Sequence, residues 1–162
     1  MHPRFLIAAL ITLQLAGCGQ DNRVQTADGG PPAEPADVSS KDFGDYVVHF
    51  NALTTDQLQP QVARTYDIVR SPNRAMLNVS IIRKVEGAIG VSVPGSVSVS
   101  AVNLTGQLKN LAVRQIQEAD AIYYIGDIPV ASDETLVFNI DVTPINETSR
   151  FSIRFSRTFF AE

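Results

Sequence analysis

The sequence of 162 residues has no tryptophan, only one cysteine, and no apolar run long enough to cross a bilayer. A disulfide scaffold is excluded because a single cysteine cannot form an intramolecular bond. Lys and Arg number 13 against 17 Asp and Glu, and no basic cluster appears, so the charge argues against nucleic-acid binding. The remaining composition, 44% hydrophobic with ten glycines and nine prolines, is that of a globular chain with room for one domain.

The N-terminus has the features of an export signal. Met1–Arg4 carries one arginine and no acid, an apolar run of eleven residues follows, and the run ends in Leu15-Ala16-Gly17-Cys18. This tetrapeptide resembles the lipobox of bacterial lipoproteins, and the resemblance implies cleavage before Cys18 and acylation of that cysteine. Residues 1–17 are therefore predicted to be a signal peptide that is absent from the mature protein.

Cys18 is the predicted attachment to a lipid bilayer, because two or more acyl chains hold a protein firmly on a membrane. Gly19 stands where an aspartate often retains lipoproteins of enteric bacteria in the inner membrane. The lipoprotein resemblance thus implies a periplasmic protein anchored to the outer membrane. Removal of Arg4 leaves 12 basic and 17 acidic residues, a net charge of −5, so electrostatic attraction to anionic lipids is not expected.

A composition change marks the domain boundary. Residues 19–40 contain three glycines, three prolines and almost no large apolar side chain, so they cannot bury enough surface to offset the entropy of ordering. We therefore predict a lipidated cysteine and flexible tether over residues 18–40, with a reach of about 25 Å. Residues 41–162 are predicted to form one folded domain, because 122 residues suffice for a single core.

Alternation of apolar and polar residues dominates this domain and predicts strands with one buried face. The apolar members of these alternating sets are Tyr46, Val48, Phe50 and Ala52; Leu77, Val79 and Ile81; Val97, Val99 and Ala101; Ile122, Tyr124, Ile128 and Val130; Leu136, Phe138, Ile140 and Val142; and Phe151, Ile153 and Phe155. Leu111–Gln117 predicts a weaker strand. About seven short strands predict an all-β fold, an antiparallel immunoglobulin-like β-sandwich without the usual cysteine pair and tryptophan.

One stretch, Gln59–Asp67, departs from this alternation. Pro60 suits the first position of a helix, and Val62, Ala63 and Tyr66 fall at helical spacing. The sequence therefore predicts one short helix within the sandwich.

The sequence offers few residues suited to catalysis or metal binding. After cleavage His49 is the only histidine, it lies on the polar side of its strand, and no G-x-S-x-G motif occurs. One histidine and one thioether, Met76, are too few ligands for a zinc or copper site. We predict no catalytic residues, no metal and no cofactor.

A turn rich in arginine is a candidate site for partner binding. Arg70, Asn73 and Arg74 surround a Ser-Pro pair, and the two guanidinium groups could bind a carboxylate or phosphate of a partner. The alternative is that these arginines pair with Asp67 or another acid of the same domain.

The last predicted strand is a second candidate. It carries Arg154 on the polar side and Arg157 on the side of the buried phenylalanines, which predicts a bulge or a strand end near Ser156. Together with Arg150, these charges protect an edge strand from aggregation or, in the sharper hypothesis, belong to an edge that receives a partner strand.

Several segments together resemble an uncharacterised family of small exported gammaproteobacterial proteins, a domain of unknown function. The resemblance rests on F-G-D-Y-V-V-H-F at 43–50, Y-D-I-V-R-S at 66–71, Asn73-Arg74, L-N-V-S at 77–80, D-A-I-Y-Y at 120–124 and the C-terminal residues 155–160. It covers nearly all of residues 41–162, implies an envelope setting and supplies no catalytic residues.

The sequence favours a non-enzymatic binding or structural module of the cell envelope, anchored through Cys18, whose partner is an envelope protein or polymer. Its oligomeric state stays open. The alternative is a hydrolase of an envelope polymer using carboxylates such as Asp42, Asp45 or Asp120, which needs two carboxyl groups about 5–10 Å apart. A carrier of a soluble ligand is a third reading, but 122 residues leave little room for an apolar cavity between two sheets.

Overall fold

A computed structural model describes residues 38–160, so the predicted signal peptide, Cys18 and nearly all of the tether lie outside the described residues. The strands are β1 (Ser40–Asp42), β2 (Tyr46–Thr54), β3 (Arg74–Arg83), β4 (Val91–Ser92), β5 (Gly95–Asn103), β6 (Leu108–Asn110), β7 (Arg114–Glu118), β8 (Ala121–Pro129), β9 (Glu134–Pro144) and β10 (Phe151–Phe159). A 3-10 turn spans Thr55–Gln57, and one helix, α1, spans Pro60–Thr65. Over residues 38–160, no helix is both long and apolar enough to span a bilayer.

The strands form two antiparallel sheets. Sheet 1 has the order β1-β2-β3-β8-β7, with β4 paired to the end of β3, and sheet 2 has the order β10-β9-β5-β6. All strand pairs in both sheets are antiparallel, and the buried residues of the two sheets form one apolar cluster, so the sheets pack face to face as a sandwich. The predicted all-β sandwich is confirmed, and seven of the ten strands have five residues or more.

The core lies between the sheets, where the predicted apolar sets meet. The inward residues of β9 are each at most 1% exposed, as the strict alternation from Leu136 to Val142 predicts. The Phe155 ring stacks on Phe138 at 5.0 Å between centroids and contacts Phe50 of the other sheet at 4.8 Å. These aromatic contacts join β10 to both its own sheet and the opposite one.

The predicted short helix is also confirmed. Pro60 occupies the first turn of α1, where its missing N–H is not needed. The helix covers the outer face of sheet 1, where Ala63, Ile68, Met76 and Ile125 form a second small apolar cluster. Since α1 has only six residues, it covers part of that face and leaves the rest open.

The predicted bulge or strand end near Ser156 is wrong. The register between β9 and β10 runs without interruption from Phe151↔Val142 to Phe159↔Glu134. Arg157 therefore keeps the inward side of β10, between the buried Phe155 and Phe159. The strand tolerates this arginine because it lies where the sandwich opens into a groove, so the side chain reaches polar groups instead of the core.

A tyrosine hydroxyl ties the two sheets together. Gly95 of β5 lies opposite Pro144 of β9 in a non-hydrogen-bonded pair, because the neighbouring bond runs from the Ile145 N–H to the Pro94 carbonyl oxygen, so the N–H and carbonyl of Gly95 point away from β9. The Tyr124 hydroxyl of sheet 1 binds both groups: it donates to the Gly95 carbonyl oxygen at 2.8 Å and accepts the Gly95 N–H at 2.7 Å. Tyr124 is 5% exposed, so few water molecules can replace it.

Candidate binding surface

The Arg70–Arg74 turn is held in place by a buried threonine. Thr55, which is completely buried, donates its hydroxyl to the Val69 carbonyl oxygen at 2.8 Å and accepts the Ser71 N–H at 2.9 Å. The turn therefore lies at the end of sheet 1, fixed against the 3-10 turn that follows β2.

The three predicted binding residues have different surroundings. Arg74 opens β3 and forms an ion pair with Asp127 of β8, donating from Nε at 2.8 Å. Arg74 thus pairs within the domain, as the alternative reading expected, with Asp127 instead of Asp67. Arg70 is exposed and donates to the carbonyl oxygen of Asp56, and Asn73 is exposed as well. The turn presents Arg70 and Asn73 to solvent and holds Arg74 in an internal pair.

A groove of about 660 Å³ opens beside this turn, between the end of β2 and the end of β10. Its lining residues come from both sheets and the 3-10 turn: Asn51, Ala52, Leu53, Thr54, Asp56, Gln57, Arg157, Thr158, Phe159 and Phe160. Asp56 belongs to the groove and accepts from Arg70, so the arginine turn borders the groove.

The groove is lined by one basic residue, Arg157, and one acidic residue, Asp56. Nη2 of Arg157 donates to Oδ1 of Asn51 at 3.1 Å, which bridges β10 and β2. Its Nε is buried and has no hydrogen-bond acceptor among the described residues. An unsatisfied N–H of a charged guanidinium group is costly, so this atom favours binding of an external acceptor.

Both sheets present unpaired strand edges at this groove. β10 pairs with β9 along all nine of its residues, and no described strand pairs with its other edge. β1 pairs only with residues 47–49 of β2, so the described strands leave residues 51–54 of β2 unpaired on that side. Backbone N–H and C=O groups of these edges are therefore open to an added strand.

The sequence predicted the edge role of the last strand but missed Asn51 and the groove. Asn51 lies on the exposed side of β2, with no feature in the sequence that separates it from other polar strand residues. Only the pairing of β2 with its neighbours brings it to Arg157, which is 106 positions away in the chain.

Asp42 and Asp120, two acids of the alternative hydrolase hypothesis, lie far apart. Asp42 accepts from Lys84 at 2.5 Å and from the Gly44 N–H at 2.9 Å, and these hydrogen bonds hold the pKa of Asp42 below its usual value. Asp120 lies in the turn between β7 and β8, about three strand spacings or ~14 Å from β1 across the sheet. Asp42 and Asp120 are therefore too far apart to act as the paired carboxyl groups of glycoside hydrolysis.

Metal-binding residues are likewise scattered. His49 is exposed, as the alternation of β2 predicts. Within residues 38–160 no group of three or more His, Cys, Asp or Glu side chains converges on a common point. The described part of the chain thus offers no metal centre built from these residues.

Comparison with known proteins identifies the family. The profile of the domain of unknown function DUF4426 matches residues 40–162, and the chain belongs to this family. A crystal structure of a DUF4426 family protein from Pseudomonas aeruginosa PAO1 is 33% identical, with a TM-score of 0.64, and the match covers 76% of this chain and 94% of that chain. No curated protein matches the chain significantly.

More distant structures share the fold. FetP of uropathogenic Escherichia coli strain F11, expressed recombinantly in the E. coli periplasm, is 12% identical with a TM-score of 0.54, and the match covers 76% of this chain and 93% of FetP. A copper-bound FetP variant, in which one glutamate is replaced by glutamine, is 13% identical with a TM-score of 0.53, over 76% of this chain and 95% of that one. At such identities the likeness establishes the sandwich fold alone.

Proposed function

We propose that this DUF4426 protein is a non-enzymatic binding module of the bacterial cell envelope, tethered to the periplasmic side of the outer membrane through Cys18. In this proposal an extended, acidic segment of another envelope protein adds to the free edge of β10. The observation that carries the proposal is the unpaired outer edge of a nine-residue strand without a bulge.

The regular register of β10 supports strand addition. Natural edge strands are commonly protected by bulges, prolines, shortness or charged side chains; β10 has arginines but none of the other three features over Phe151–Phe159. An added strand would hydrogen-bond to the backbone of β10 and place alternate side chains in the adjoining groove. The groove at the Phe159 end is large enough to receive such side chains.

The charges near β10 favour an acidic partner. β10 carries Arg157 at the groove and no acidic residue, whereas its Arg154 is buried at 6% exposure. Arg150 precedes the strand, with its side chain 71% exposed and 3.9 Å from Asp141 of β9. A carboxylate in the groove could accept from Nε of Arg157, the atom that lacks an acceptor among residues 38–160. Arg70, at the border of the groove, would add a second contact to the same segment.

The envelope setting rests on the predicted N-terminal signal. The lipobox ending in Cys18 and the tether that follows would place the domain about 25 Å from the headgroups, within reach of other envelope proteins. FetP, expressed in the periplasm, has the same fold, which is consistent with an exported domain. Replacement Cys18→Ala should release the protein from the membrane pellet into the soluble periplasmic fraction, as measured by cell fractionation and immunoblotting.

The partner is testable by crosslinking in intact cells. A photoreactive amino acid at exposed Thr158, on the free edge of β10, should yield one recurrent crosslinked protein identified by mass spectrometry. The same probe at exposed Asn110 is the matched control, because β6 forms the opposite edge of the same sheet. Equal products from both positions, or none from Thr158, would contradict strand addition at β10.

Charge reversal tests the acidic character of the partner. Arg157→Glu should abolish the Thr158 crosslink, whereas Arg83→Glu should leave it unchanged, because Arg83 is exposed on β3 away from the groove. The Arg70→Ala replacement should weaken the crosslink without removing it.

A further inference from the structure

A second cavity lies between α1 and the outer face of sheet 1. It has a volume of about 280 Å³ and is lined mainly by apolar side chains, among them Leu58, Val62, Met76, Ile116 and Ile125. This volume is close to the lower limit of small-molecule pockets. We call it the helix cleft. It is separate from the groove beside β10, and the two share no lining residue.

The cleft exists because α1 is shorter than the apolar surface beneath it. Ala63 packs onto Met76 and Ile125, while Ile116 and Tyr123, which face each other on β7 and β8, extend beyond the helix. The exposed Val62 of α1 lies at the margin of the cleft. The structure therefore leaves an apolar depression between a helix and a sheet.

One end of the cleft is closed by a contact between the helix and the sheet. The Tyr66 hydroxyl, just after α1, donates to Oε2 of Glu118 on β7 at 2.8 Å. This bond raises the pKa of Tyr66 above its ordinary value, so the hydroxyl keeps its proton at neutral pH. The rim thus carries a negative carboxylate, and no Lys, Arg or His lines the cleft.

The cleft also contains a polar atom that lacks a partner. Oδ1 of Asn78 is buried and accepts no hydrogen bond from the described residues. Asn78 belongs to β3, and its side chain lies on the same face as Met76, two positions earlier. A buried amide oxygen without a donor is energetically unfavourable, which indicates that a ligand group with an N–H or O–H belongs beside it.

The chemistry of the cleft defines the ligand. Its aliphatic walls suit a short hydrocarbon chain, and Asn78 Oδ1 requires a donor. A charged donor is disfavoured, because burying an ammonium group among apolar side chains without a counter-ion costs more than the hydrogen bond returns. A carboxylate is disfavoured by Glu118 at the rim. We propose that the helix cleft binds a small neutral amphipathic molecule, an aliphatic chain with a hydroxyl donor that bonds to Asn78 Oδ1.

The proposal can be tested with simple probes on the full chain. 1-Hexanol supplies the chain and the donor, methyl pentyl ether supplies a similar chain without a donor, and hexanoate replaces the donor with a negative charge. In a methyl NMR titration, 1-hexanol should cause saturable shifts of Met76, Ile116 and Ile125. The ether should bind about tenfold more weakly, and hexanoate should not bind.

Variants separate the cleft from nonspecific apolar binding. Asn78→Leu should weaken 1-hexanol binding about tenfold, and Asn110→Leu, at an exposed position of β6, should not change it. Val62→Trp should fill the cleft from its solvent side and abolish binding, which keeps the test valid if Asn78→Leu does not fold. Glu118→Gln should allow hexanoate to bind, because the rim then loses its charge.

Two results would overturn the proposal. One is the absence of saturable shifts at the cleft methyl groups with 1-hexanol. The other is an affinity for 1-hexanol that matches that of the ether or is unchanged by Val62→Trp. Crosslinking at Thr158 does not depend on this cleft, so either outcome leaves the proposed function of the β10 edge to its own experiment.

Discussion

Among the four tyrosines, Tyr124 is the one whose hydroxyl group should contribute most to the stability of the domain. The hydroxyl serves two backbone groups of Gly95 at once, the N–H at 2.7 Å and the carbonyl oxygen at 2.8 Å. In Tyr124→Phe the ring still fills the core, but both Gly95 groups lose their partner. β9 cannot replace the hydroxyl, because Gly95 and Pro144 form a non-hydrogen-bonded pair and the Gly95 backbone groups point away from that strand.

The magnitude follows from the cost of unsatisfied buried groups. Each such group costs about 1–3 kcal/mol, and Gly95 is only partly buried, so the expected loss for Tyr124→Phe is about 2 kcal/mol. For a domain of this size that corresponds to a decrease of roughly 5–10 °C in Tm. The adjacent Tyr123→Phe is the matched control: Tyr123 lies on the outer face, is only partly buried, and should lose less than about 0.5 kcal/mol.

Urea denaturation monitored by circular dichroism measures both variants. The midpoint should fall for Tyr124→Phe while the slope of the unfolding free energy against urea stays constant, because the surface exposed on unfolding is the same. Equal stabilities of the Tyr124→Phe and Tyr123→Phe proteins would refute the reasoning that the hydroxyl joins the sheets through Gly95.

Other perturbations test further contacts. Partial burial acts to raise the pKa of Glu134, but hydrogen bonds from Lys109 and the Ala131 N–H outweigh it and hold the pKa below its ordinary value. The stability that comes from this lowered pKa is present above about pH 4.5 and is lost as the pH falls through the pKa of Glu134 in the folded state. Lys109→Met should therefore cost about 2 kcal/mol of unfolding free energy at pH 7 and progressively less toward pH 3, as measured by urea titration. Gly126→Ala should cost about 1–3 kcal/mol, because its Cβ would lie 2.5 Å from the Ala112 carbonyl oxygen. Gly87→Ala, with open space around it and a φ of +73°, should cost only about 1 kcal/mol in the same assay.

Much of the fold could be predicted from short stretches of sequence. The alternation in Leu136–Val142 predicts which side of β9 is buried, because successive residues of a strand point to opposite faces regardless of which strands pair with it. Pro60 likewise marks the start of α1, because its fixed φ suits the first turn of a helix. These predictions depend on local backbone geometry, so they need no knowledge of the partner strands.

The candidate sites were less predictable. The sequence showed that Arg157 falls on the same side of the last strand as the buried phenylalanines, and a bulge or strand end was predicted for that reason. The strand instead continues without a bulge, and Arg157 faces an open groove. The pairing of Arg74 with an acid was foreseen, yet its partner Asp127 lies 53 positions away, on a strand whose place beside β3 is not encoded nearby. Asn78 looked like any polar residue of a half-buried strand.

By itself the sequence determined the strand faces, the helix and membership of a family of unknown function, and it predicts the signal that ends at Cys18. Only the tertiary structure decided that a groove opens beside the edge strand β10, that Asn51 meets Arg157, and that a cleft remains under α1. The physical reason is how far apart in the chain the interacting residues lie. Strand and helix periodicity arises from neighbouring residues, whereas edges, grooves and unsatisfied polar atoms arise from sheet order and from contacts between residues far apart in the chain.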